Sequence, residues 1–278
     1  MKKTILITGC SSGIGHCVAH ALHHKGYRVF ATARRQESVD ELLNEGLESL
    51  RLDLTDSNSI QPAFEEIMRR TDGNLYALFN NGAYGLTGAV EDLNRDALRA
   101  QFETNVFGWQ ELTNLALPVM RRQGYGRIIQ NSSVLGFVSM PFRGAYNSSK
   151  YAIEGLSDTL RLELKGTNIY VSLIEPGPIA SQFRVNALKA LEKYIDIDNS
   201  FHREKYRGVL KRLNKKGPAV PFTLPPEAVL KRVIHALEAS RPKPRYYVTI
   251  PTYLFGFLKR LLSTRLLDIL LAKAGNSN

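Results

Sequence analysis

Short apolar segments rich in β-branched residues alternate with helical segments along the first two thirds of the chain. The strand-like segments are residues 4–8, 28–33, 47–53, 75–81, 126–133 and 169–177. Most are nearly continuous apolar runs, which indicates strands that are buried on both faces. Helical apolar spacing marks the segments between them, residues 14–25, 59–70, 97–122 and 146–165. This alternation is typical of right-handed β-α-β units and predicts an α/β fold with a doubly wound parallel sheet.

The pattern changes after Pro178. Residues 182–222 carry many charges and little strand signal, which predicts a helical insertion or flap. A further helix over residues 228–240 and a last strand over residues 245–250 are expected after it.

The length of 278 residues and the hydrophobic content of 44% allow a sizeable core. We therefore expect a single domain over residues 1–278. Its parts are a core (1–181), a substrate flap (about 182–222) and a C-terminal extension (about 223–278).

The two cysteines, Cys10 and Cys17, show neither a disulfide framework nor the paired spacing of a zinc site. A reducing compartment is therefore favoured, and we expect a cytoplasmic protein, either free or peripheral on the cytoplasmic face of the membrane.

The net charge of +11 is concentrated near the C-terminus, because 16 Lys and Arg face 4 Asp and Glu between His202 and Lys273. Within this region, residues 253–273 are apolar but interrupted by Lys259, Arg260, Arg265 and Asp268, so they do not form a clean 20-residue span. An interfacial helix on anionic lipid is one interpretation. A helix folded over the substrate cleft or a partner subunit is the other. Nucleic acid is not expected as a partner, since no reading module accompanies the charge.

Residues 8–15, TGCSSGIG, lie where the first strand turns into the first helix. Glycines allow the backbone to approach a pyrophosphate, and a helix N-terminus offers free N–H groups to an anion. In this context the motif predicts a dinucleotide site rather than a tight structural turn. The expected contacts are Gly9, Ser11, Ser12, Gly13, Ile14 and Gly15.

A second feature distinguishes the two nicotinamide dinucleotides. An NAD site offers an acid to the ribose roughly 20 residues after the glycine motif. This chain has Ala33-Arg34-Arg35 there instead. Arg34 can bind a 2′-phosphate with its planar fork, so we predict NADP(H). The alternative is that both arginines are ordinary solvated charges.

Tyr146 and Lys150 lie four residues apart at the start of a helical segment and share one face of it. A neighbouring ammonium, helped by an oxidised nicotinamide, would lower the pKa of the phenol toward the working range. Ser133 ends the fifth strand, where it can hydrogen-bond a substrate carbonyl, and Asn105 interrupts a helical segment.

Six motifs, TGCSSGIG, the Asn81 turn, NVFG, NSSVLG, YNSSK and EPGPI, resemble those of the classical short-chain dehydrogenase/reductase family in order and spacing over residues 4 to about 181. The resemblance is strongest to hydroxysteroid and retinol dehydrogenases and to similar bacterial aldehyde reductases. It implies a Rossmann-like fold and hydride transfer between a nicotinamide and a carbonyl or alcohol carbon.

The same resemblance implies roles for single residues. Ser133 would orient the carbonyl, Tyr146 would move the proton, and Lys150 would bind the nicotinamide ribose. Asn105 would hold a water linking Lys150 to solvent. Asp53 would contact the adenine, and Ser181 would replace the usual threonine near the carboxamide. The remaining expected cofactor contacts are Leu54, Asn81, Gly82, Ala83, Pro176, Gly177 and Ile179.

One position departs from the family pattern, which usually has Asn-Asn-Ala-Gly where this chain has Asn80-Asn81-Gly82-Ala83. If position 83 needs a positive φ, alanine there costs on the order of 1 kcal/mol and its methyl crowds the ribose. We therefore predict a bound but somewhat shifted or weakened cofactor.

Four apolar residues, Val138, Met140, Phe142 and Phe183, flank the predicted chemistry. Such a lining fits a lipophilic aldehyde, ketone or alcohol, retinoid-like or steroid-like in character, and a carbonyl reductase. The alternative is that they belong to the core. An NADP(H)-binding, membrane-associated protein without catalysis is the other functional hypothesis, but it leaves Ser133, Tyr146 and Lys150 unexplained.

No metal site is expected, because His16, His20 and His24 are interpreted as a solvated helix face. Phe107 and Trp109 are interpreted as packing or a dimer surface. The family resemblance implies a homodimer or homotetramer through the helices near 97–122 and 146–165.

Overall fold

A computed structural model describes residues 2–218 and 220–276, and in this part of the chain seven parallel strands form one sheet in the order β3-β2-β1-β4-β5-β6-β7. The strands are β1 (Thr4–Ile7), β2 (Arg28–Ala33), β3 (Glu48–Arg51), β4 (Ala77–Asn80), β5 (Gly126–Asn131), β6 (Ile169–Glu175) and β7 (Arg245–Tyr247). The predicted α/β fold is confirmed. Met1, Ala219 and residues 277–278, which fall within the predicted core, flap and extension, lie outside the described residues.

Helices cover both faces of the sheet. They are α1 (Gly13–His24), α2 (Gln36–Asn44), α3 (Ser57–Arg70), α4 (Arg95–Phe102), α5 (Gly108–Gln123), α6 (Gly144–Glu163), α7 (Phe183–Tyr194), α8 (Arg203–Asn214), α9 (Glu227–Glu238), α10 (Ile250–Leu261) and α11 (Thr264–Asn276). Apolar residues of α1, α2 and α9 pack on one face of the sheet, and those of α3, α5 and α6 pack on the other. The sheet is therefore doubly wound.

Three helical features of the structure differ from those predicted from the sequence. Helix α2 was not predicted, because its segment buries few apolar residues, chiefly Val39 and Leu42. The predicted helix 97–122 is interrupted by a π-helical turn at Glu103–Phe107. The predicted interfacial helix 253–273 is two helices, because the backbone leaves the helical region at Leu262 and restarts after Ser263, a residue type that favours helix starts.

The strand order determines where the sheet has a crevice that can bind a ligand. Strand β1 pairs with β2 on one side and β4 on the other, so the connections after β1 and β4 leave in opposite directions and open a crevice at their carboxyl ends. Helices α7 and α8 of the flap pack with residues 84–89 beside this crevice.

The two C-terminal helices fold back onto the loop that follows β5. Phe255 of α10 and Leu271 of α11 are buried against Val134, Leu135 and Val138. This contact favours the interpretation of a helix that folds toward the cleft. Within residues 2–218 and 220–276, no helix combines the length and the hydropathy needed to cross a bilayer.

Candidate active site

The turn after β1 is built from glycines that other residues could not replace. Gly9 and Gly13 have φ of 69° and 61°, which L side chains rarely adopt. A Cβ on Gly15 would lie 2.3 Å from the carbonyl oxygen of Gly9. Ser12 precedes α1 without capping it through its side chain, so the first N–H groups of the helix have no side-chain acceptor from the N-cap. This cradle fits a pyrophosphate.

The residues predicted at the adenosine end lie after β2 and β3. Arg34 is exposed and makes no ion pair with any described residue, and Ser11 is also exposed. The carboxylate of Asp53 accepts hydrogen bonds from the backbone N–H and the hydroxyl of Thr55, at 3.0 and 2.9 Å, which orders its loop. Leu54 is buried beneath the crevice. The contact of Asp53 with adenine stays a prediction.

The condition for strain at Ala83 is not met. The non-glycine residues with positive φ in the described chain are Asp72, Phe142 and Phe222, so Ala83 has ordinary backbone geometry. Its side chain packs against the apolar cluster that contains Leu54. The close approach occurs one residue earlier, since a Cβ on Gly82 would lie 3.0 Å from Leu54 Cδ1 and 3.2 Å from the backbone nitrogen of Gly9.

Asn81 joins the turn after β4 to the turn after β1. Its side-chain amide donates to the carbonyl oxygens of Thr8 and Gly9, at 3.0 and 3.2 Å. Asn131, at the end of β5, donates to the Asn81 oxygen at 2.9 Å, and its own carbonyl accepts from the ammonium of Lys150 at 2.7 Å. A continuous hydrogen-bonded path therefore connects Lys150 to the glycine turn. Asn131 was not predicted, although it opens the NSSVLG motif.

Lys150 is buried, and its ammonium lies 4.2 Å from the centre of the Trp109 ring, as in a cation–π contact. Burial lowers the pKa of Lys150 to about 7, and Glu154 partly opposes this shift. Trp109 is itself buried, as predicted for a packing residue, and its indole N–H donates to the carbonyl of Gly82 at 2.8 Å. Trp109 thus supports both the lysine and the turn.

Tyr146 and Ser133 meet, as predicted. Burial raises the pKa of the Tyr146 phenol to about 12, and the adjacent Ser133 hydroxyl partly opposes this shift. The ring of Phe183 packs edge-on against Tyr146 with a centroid distance of 5.2 Å. In this structure the shift of the Tyr146 pKa is opposite to the expected decrease, because desolvation by burial dominates. The hydroxyl of Ser133 accepts from the backbone N–H of Leu135 at 3.1 Å.

Asn105 lies in the π-helical turn between α4 and α5, so its predicted interruption of a helix is confirmed. Its amide donates to the Tyr84 carbonyl at 2.9 Å and to the Ser149 hydroxyl at 3.1 Å. The backbone N–H of Tyr84 donates to the Asn105 oxygen at 3.2 Å. Asn105 therefore fixes the segment after Ala83, and its role beside a water stays a prediction.

The loop after β6 closes toward the start of α1. A Cβ on Gly177 would lie 2.1 Å from the hydroxyl of Thr249, so this glycine permits a close backbone approach. The Ser181 Cβ lies 3.0 Å from the point where a Cβ of Gly13 would be. Ile179 forms a parallel bridge with the segment before α9, and the Pro176 carbonyl accepts from the N–H that follows Ser133.

The four apolar residues predicted to contact substrate occupy different places. Val138 is part of the core around Phe255. Met140 packs at the edge of that core, and Phe142 packs on Tyr206 with a φ of 60°. Of the four, Phe183 lines the cavity beside Tyr146.

That cavity is about 80 Å³ and lies between the loop 85–87, the start of α6 and the flap. Apolar Leu86, Leu135 and Phe183 line it together with three arginines, Arg143, Arg184 and Arg212. The sequence pattern did not single out these arginines, because they are separated along the chain and two of them belong to a charge-rich segment.

On the outer side of α1, the structure brings together side chains that are not adjacent in sequence. The imidazoles of His16 and His20 contact the carboxylate of Glu45 at 3.0 and 2.7 Å, and hydrogen bonds led by that from His20 lower the pKa of Glu45. The three ligand atoms lie within 4.8 Å of one another. His24 is exposed on the same helix.

The sequence matches the family described as short chain dehydrogenase over residues 3–192. It is 41% identical over 271 residues to "Uncharacterized oxidoreductase YbbO" of Escherichia coli (strain K12), covering 98% of this chain and 94% of that protein. It is 33% identical over 263 residues to 17-beta-hydroxysteroid dehydrogenase type 1 of Homo sapiens, covering 89% of this chain and 78% of that protein.

Solved structures share the fold. A variant of actinorhodin polyketide ketoreductase with NADPH is 27% identical, with a TM-score of 0.73 and coverage of 89% of this chain and 95% of the other. A short chain dehydrogenase/reductase from Burkholderia phymatum in complex with NAD is 23% identical, with a TM-score of 0.76 and coverage of 94% and 95%. The two structures were solved with different nicotinamide dinucleotides.

Proposed function

This chain belongs to the short-chain dehydrogenase family of nicotinamide-dependent oxidoreductases, and from that premise we propose that it is an NADP(H)-dependent carbonyl reductase acting on lipophilic aldehydes or ketones. The observation that carries the proposal is the meeting of Tyr146 with Ser133 beside a cavity that Tyr146 lines, with Lys150 buried one helical turn away. A cofactor-binding protein without catalysis would have no need of this arrangement.

The glycine turn after β1 indicates which residues would bind the cofactor. The glycine turn and the start of α1 would hold the pyrophosphate, and Arg34 would pair with a 2′-phosphate. Lys150 lies at the other end of the hydrogen-bonded path through Asn81 and Asn131. When bound, the nicotinamide supplies or accepts the hydride.

The side chains of the protein would move and stabilise the proton. A phenol with a pKa near 12 is protonated at neutral pH, so Tyr146 can donate its proton to the carbonyl oxygen of a substrate. The Ser133 hydroxyl holds that oxygen in reach of the phenol. Lys150, with its pKa near 7, can exchange protons in the same range and restore the phenol. A protonated Tyr146 that can donate its proton favours reduction of a carbonyl over oxidation of an alcohol.

The names of relatives support the substrate class. One relative at 33% identity is a 17-beta-hydroxysteroid dehydrogenase, and another at 31% identity is retinol dehydrogenase 8 of Homo sapiens. Both names refer to lipophilic compounds. The apolar side chains around Tyr146 are consistent with such a substrate.

The test is steady-state oxidation of NADPH and NADH with a panel of aliphatic aldehydes, ketones, retinal and steroids. We expect carbonyl-dependent consumption with kcat/KM roughly 10-fold or more higher for NADPH, and loss of this preference in Arg34→Glu. Arg35→Glu is the matched control and should keep the preference. Equal use of NADH by the wild type would contradict the cofactor assignment, and no carbonyl-dependent consumption would contradict the function.

We also propose peripheral contact with anionic lipid through residues 253–273. The outer faces of α10 and α11 expose apolar side chains, among them Leu254, Phe257, Leu261 and Ile269, next to Lys259 and Arg260. The double variant Leu254→Glu with Leu261→Glu should lower the fraction of protein that sediments with phosphatidylglycerol vesicles. Leu43→Glu, which changes an exposed residue of α2, should not lower it. Equal sedimentation of both variants would refute the contact.

A homo-oligomer is the other expected assembly. The structure exposes apolar side chains on the helices named for it, Leu98 on α4, Phe107 in the π-helical turn, and Leu156 and Leu162 on α6. We propose that a second copy of the chain covers them. Light scattering after gel filtration should give a dimer or tetramer, and Leu156→Glu should dissociate it. A monomeric wild type would contradict this proposal.

A further inference from the structure

Three arginines line the cavity that also contains Tyr146, and their charges lie close together. Arg143 directly precedes α6, whereas Arg184 and Arg212 lie on α7 and α8 of the flap. Burial lowers the pKa of Arg143 to about 9, and the charge of Arg212 adds to this effect. Burial also lowers the pKa of Arg212, with a further contribution from Arg184. Like charges therefore converge in a partly desolvated space.

No carboxylate compensates them. Among residues 2–218 and 220–276, no Asp or Glu lines the cavity and none forms an ion pair with these three arginines. Two acids that contact the flap from residues 90–92 have other partners. Asp92 accepts from the hydroxyls of Ser200 and Tyr206, at 2.7 and 2.6 Å, and Glu91 pairs with His202.

The three guanidinium groups differ in how much of their hydrogen-bonding capacity is used. Arg184 donates to the backbone carbonyls of Arg212 and Lys215, at 3.1 and 2.6 Å, and to that of Gly217, so it secures the end of α8. Arg143 has one such contact, to the sulfur of Met140 at 2.9 Å. A guanidinium offers five donors in a planar fork that matches a carboxylate. Arg143 and Arg212 are therefore available to an anion.

We propose that Arg143 and Arg212 form an anion subsite, and that the substrate is an amphiphilic oxo acid. Its aldehyde or ketone lies at Tyr146, its apolar stem contacts Leu135 and Leu213, and its carboxylate pairs with the two arginines. This inference rests on the proposed carbonyl reductase function and narrows its substrate class. An apolar cavity alone would select for a neutral compound, whereas partly buried, uncompensated cations select against one.

The experiment compares ω-oxo carboxylates of increasing chain length with their methyl esters, using NADPH and the full chain. The wild type should favour the acid over its ester by about 10-fold or more in kcat/KM at the best length. In Arg143→Gln and Arg212→Gln this ratio should fall to roughly 3-fold or less, mainly through a higher KM for the acid. Arg207→Gln is the matched control, because Arg207 lies on the same helix, is exposed and pairs with Glu204.

A second measurement does not depend on turnover. Calorimetric titration with decanoate should show binding to the wild type and loss of it in Arg212→Gln, while decanol binds both alike. If neither acids nor esters are reduced but decanoate binds in this way, the proposed reaction fails and the anion subsite stands.

Three outcomes would overturn the subsite. One is a wild type that reduces the ester as well as the acid at every length. Another is a pair of arginine variants that keep the preference for the acid. The third is weaker NADPH binding by these variants with an unchanged acid-to-ester ratio, which would assign the arginines to the cofactor. If a variant does not fold, the wild-type ratio and the decanoate titration decide.

Discussion

At the scale of single residues, the turn Asn80-Asn81-Gly82-Ala83 is sterically restricted at Gly82 and not, as the sequence had suggested, at Ala83. Ala83 has an ordinary φ, and Gly82 lies against the backbone of Gly9. The family pattern directed attention to the position of the final glycine. The packing between two turns that are more than 70 residues apart was not accessible from the sequence, because it depends on the distance between β1 and β4.

We predict that Gly82→Ala destabilises the protein by roughly 1–3 kcal/mol and weakens NADPH binding, because the added methyl meets Leu54 and Gly9. Ala83→Gly, the matched control, should cost about 1 kcal/mol or less. Urea unfolding and a fluorescence titration with NADPH measure the two effects. A double variant with the usual family order that binds NADPH more tightly than the wild type would refute this account.

Lys150 gives a prediction for stability against pH. Its pKa is lowered to about 7 in the folded chain, so between pH 7 and its ordinary value of 10.5 the unfolded chain binds more protons. The free energy of unfolding contributed by this residue therefore rises with pH across that window.

The comparison is between the wild type and Lys150→Met, unfolded in urea at pH 7 and pH 10. The wild type should gain roughly 2–4 kcal/mol relative to the variant over this range. Lys165→Met, an exposed lysine just after the same helix, is the control and should follow the wild type. Parallel curves for the wild type and Lys150→Met would show that the ammonium is not desolvated.

At the scale of elements, apolar periodicity was sufficient to predict the strands and the long helices, since burial on both faces leaves a clear signal. Strand β2 was predicted with its exact bounds, whereas β3 and β4 are shorter than their apolar runs. The π-helical turn at Asn105 was marked in sequence by a polar residue, although the type of turn was not. The break between α10 and α11 depends on local backbone geometry that a continuous apolar pattern conceals.

A partly buried ion cluster joins three elements of the fold. Arg245 of β7 contacts Glu175 of β6 at 3.1 Å, and Glu154 and Asp158 of α6 at 3.0 and 2.6 Å. Burial raises the pKa of Glu175 to about 9 and also raises that of Glu154. The cluster was missed because its members are distant in sequence and none belongs to a motif.

We predict that Arg245→Gln destabilises the protein by about 3–5 kcal/mol at pH 8, because it leaves buried carboxylates without a cation. The loss should be larger at pH 10, where Glu175, whose pKa is about 9 in the folded chain, is ionised and needs the compensating cation. Arg241→Gln, in the exposed segment before β7, should change stability by about 0.5 kcal/mol or less. An equal loss at both pH values would contradict the role assigned to the carboxylates.

At the scale of the whole molecule, the sequence was sufficient to predict the fold and to name the residues that meet at the crevice. Ser133 lies just after β5, Tyr146 and Lys150 lie on α6, and the family motifs indicated each of them. The substrate cavity was harder to predict, because its walls come from the loop after β4, the flap and α6. Residues near the motifs, such as Val138, were predicted to contact substrate, whereas the arginines that line the cavity were not predicted.

The measurement that tests the central claim most directly is transfer of deuterium from NADPH labelled at C4, on each face in turn, to an aldehyde substrate. Mass spectrometry of the alcohol should show one deuterium at the former carbonyl carbon with one of the two labels. Tyr146→Phe should lower the rate roughly 10²–10⁴-fold while it still binds NADPH, and Tyr151→Phe, exposed on the same helix, should not. An alcohol without deuterium from either label, or an undiminished rate in Tyr146→Phe, would contradict the account.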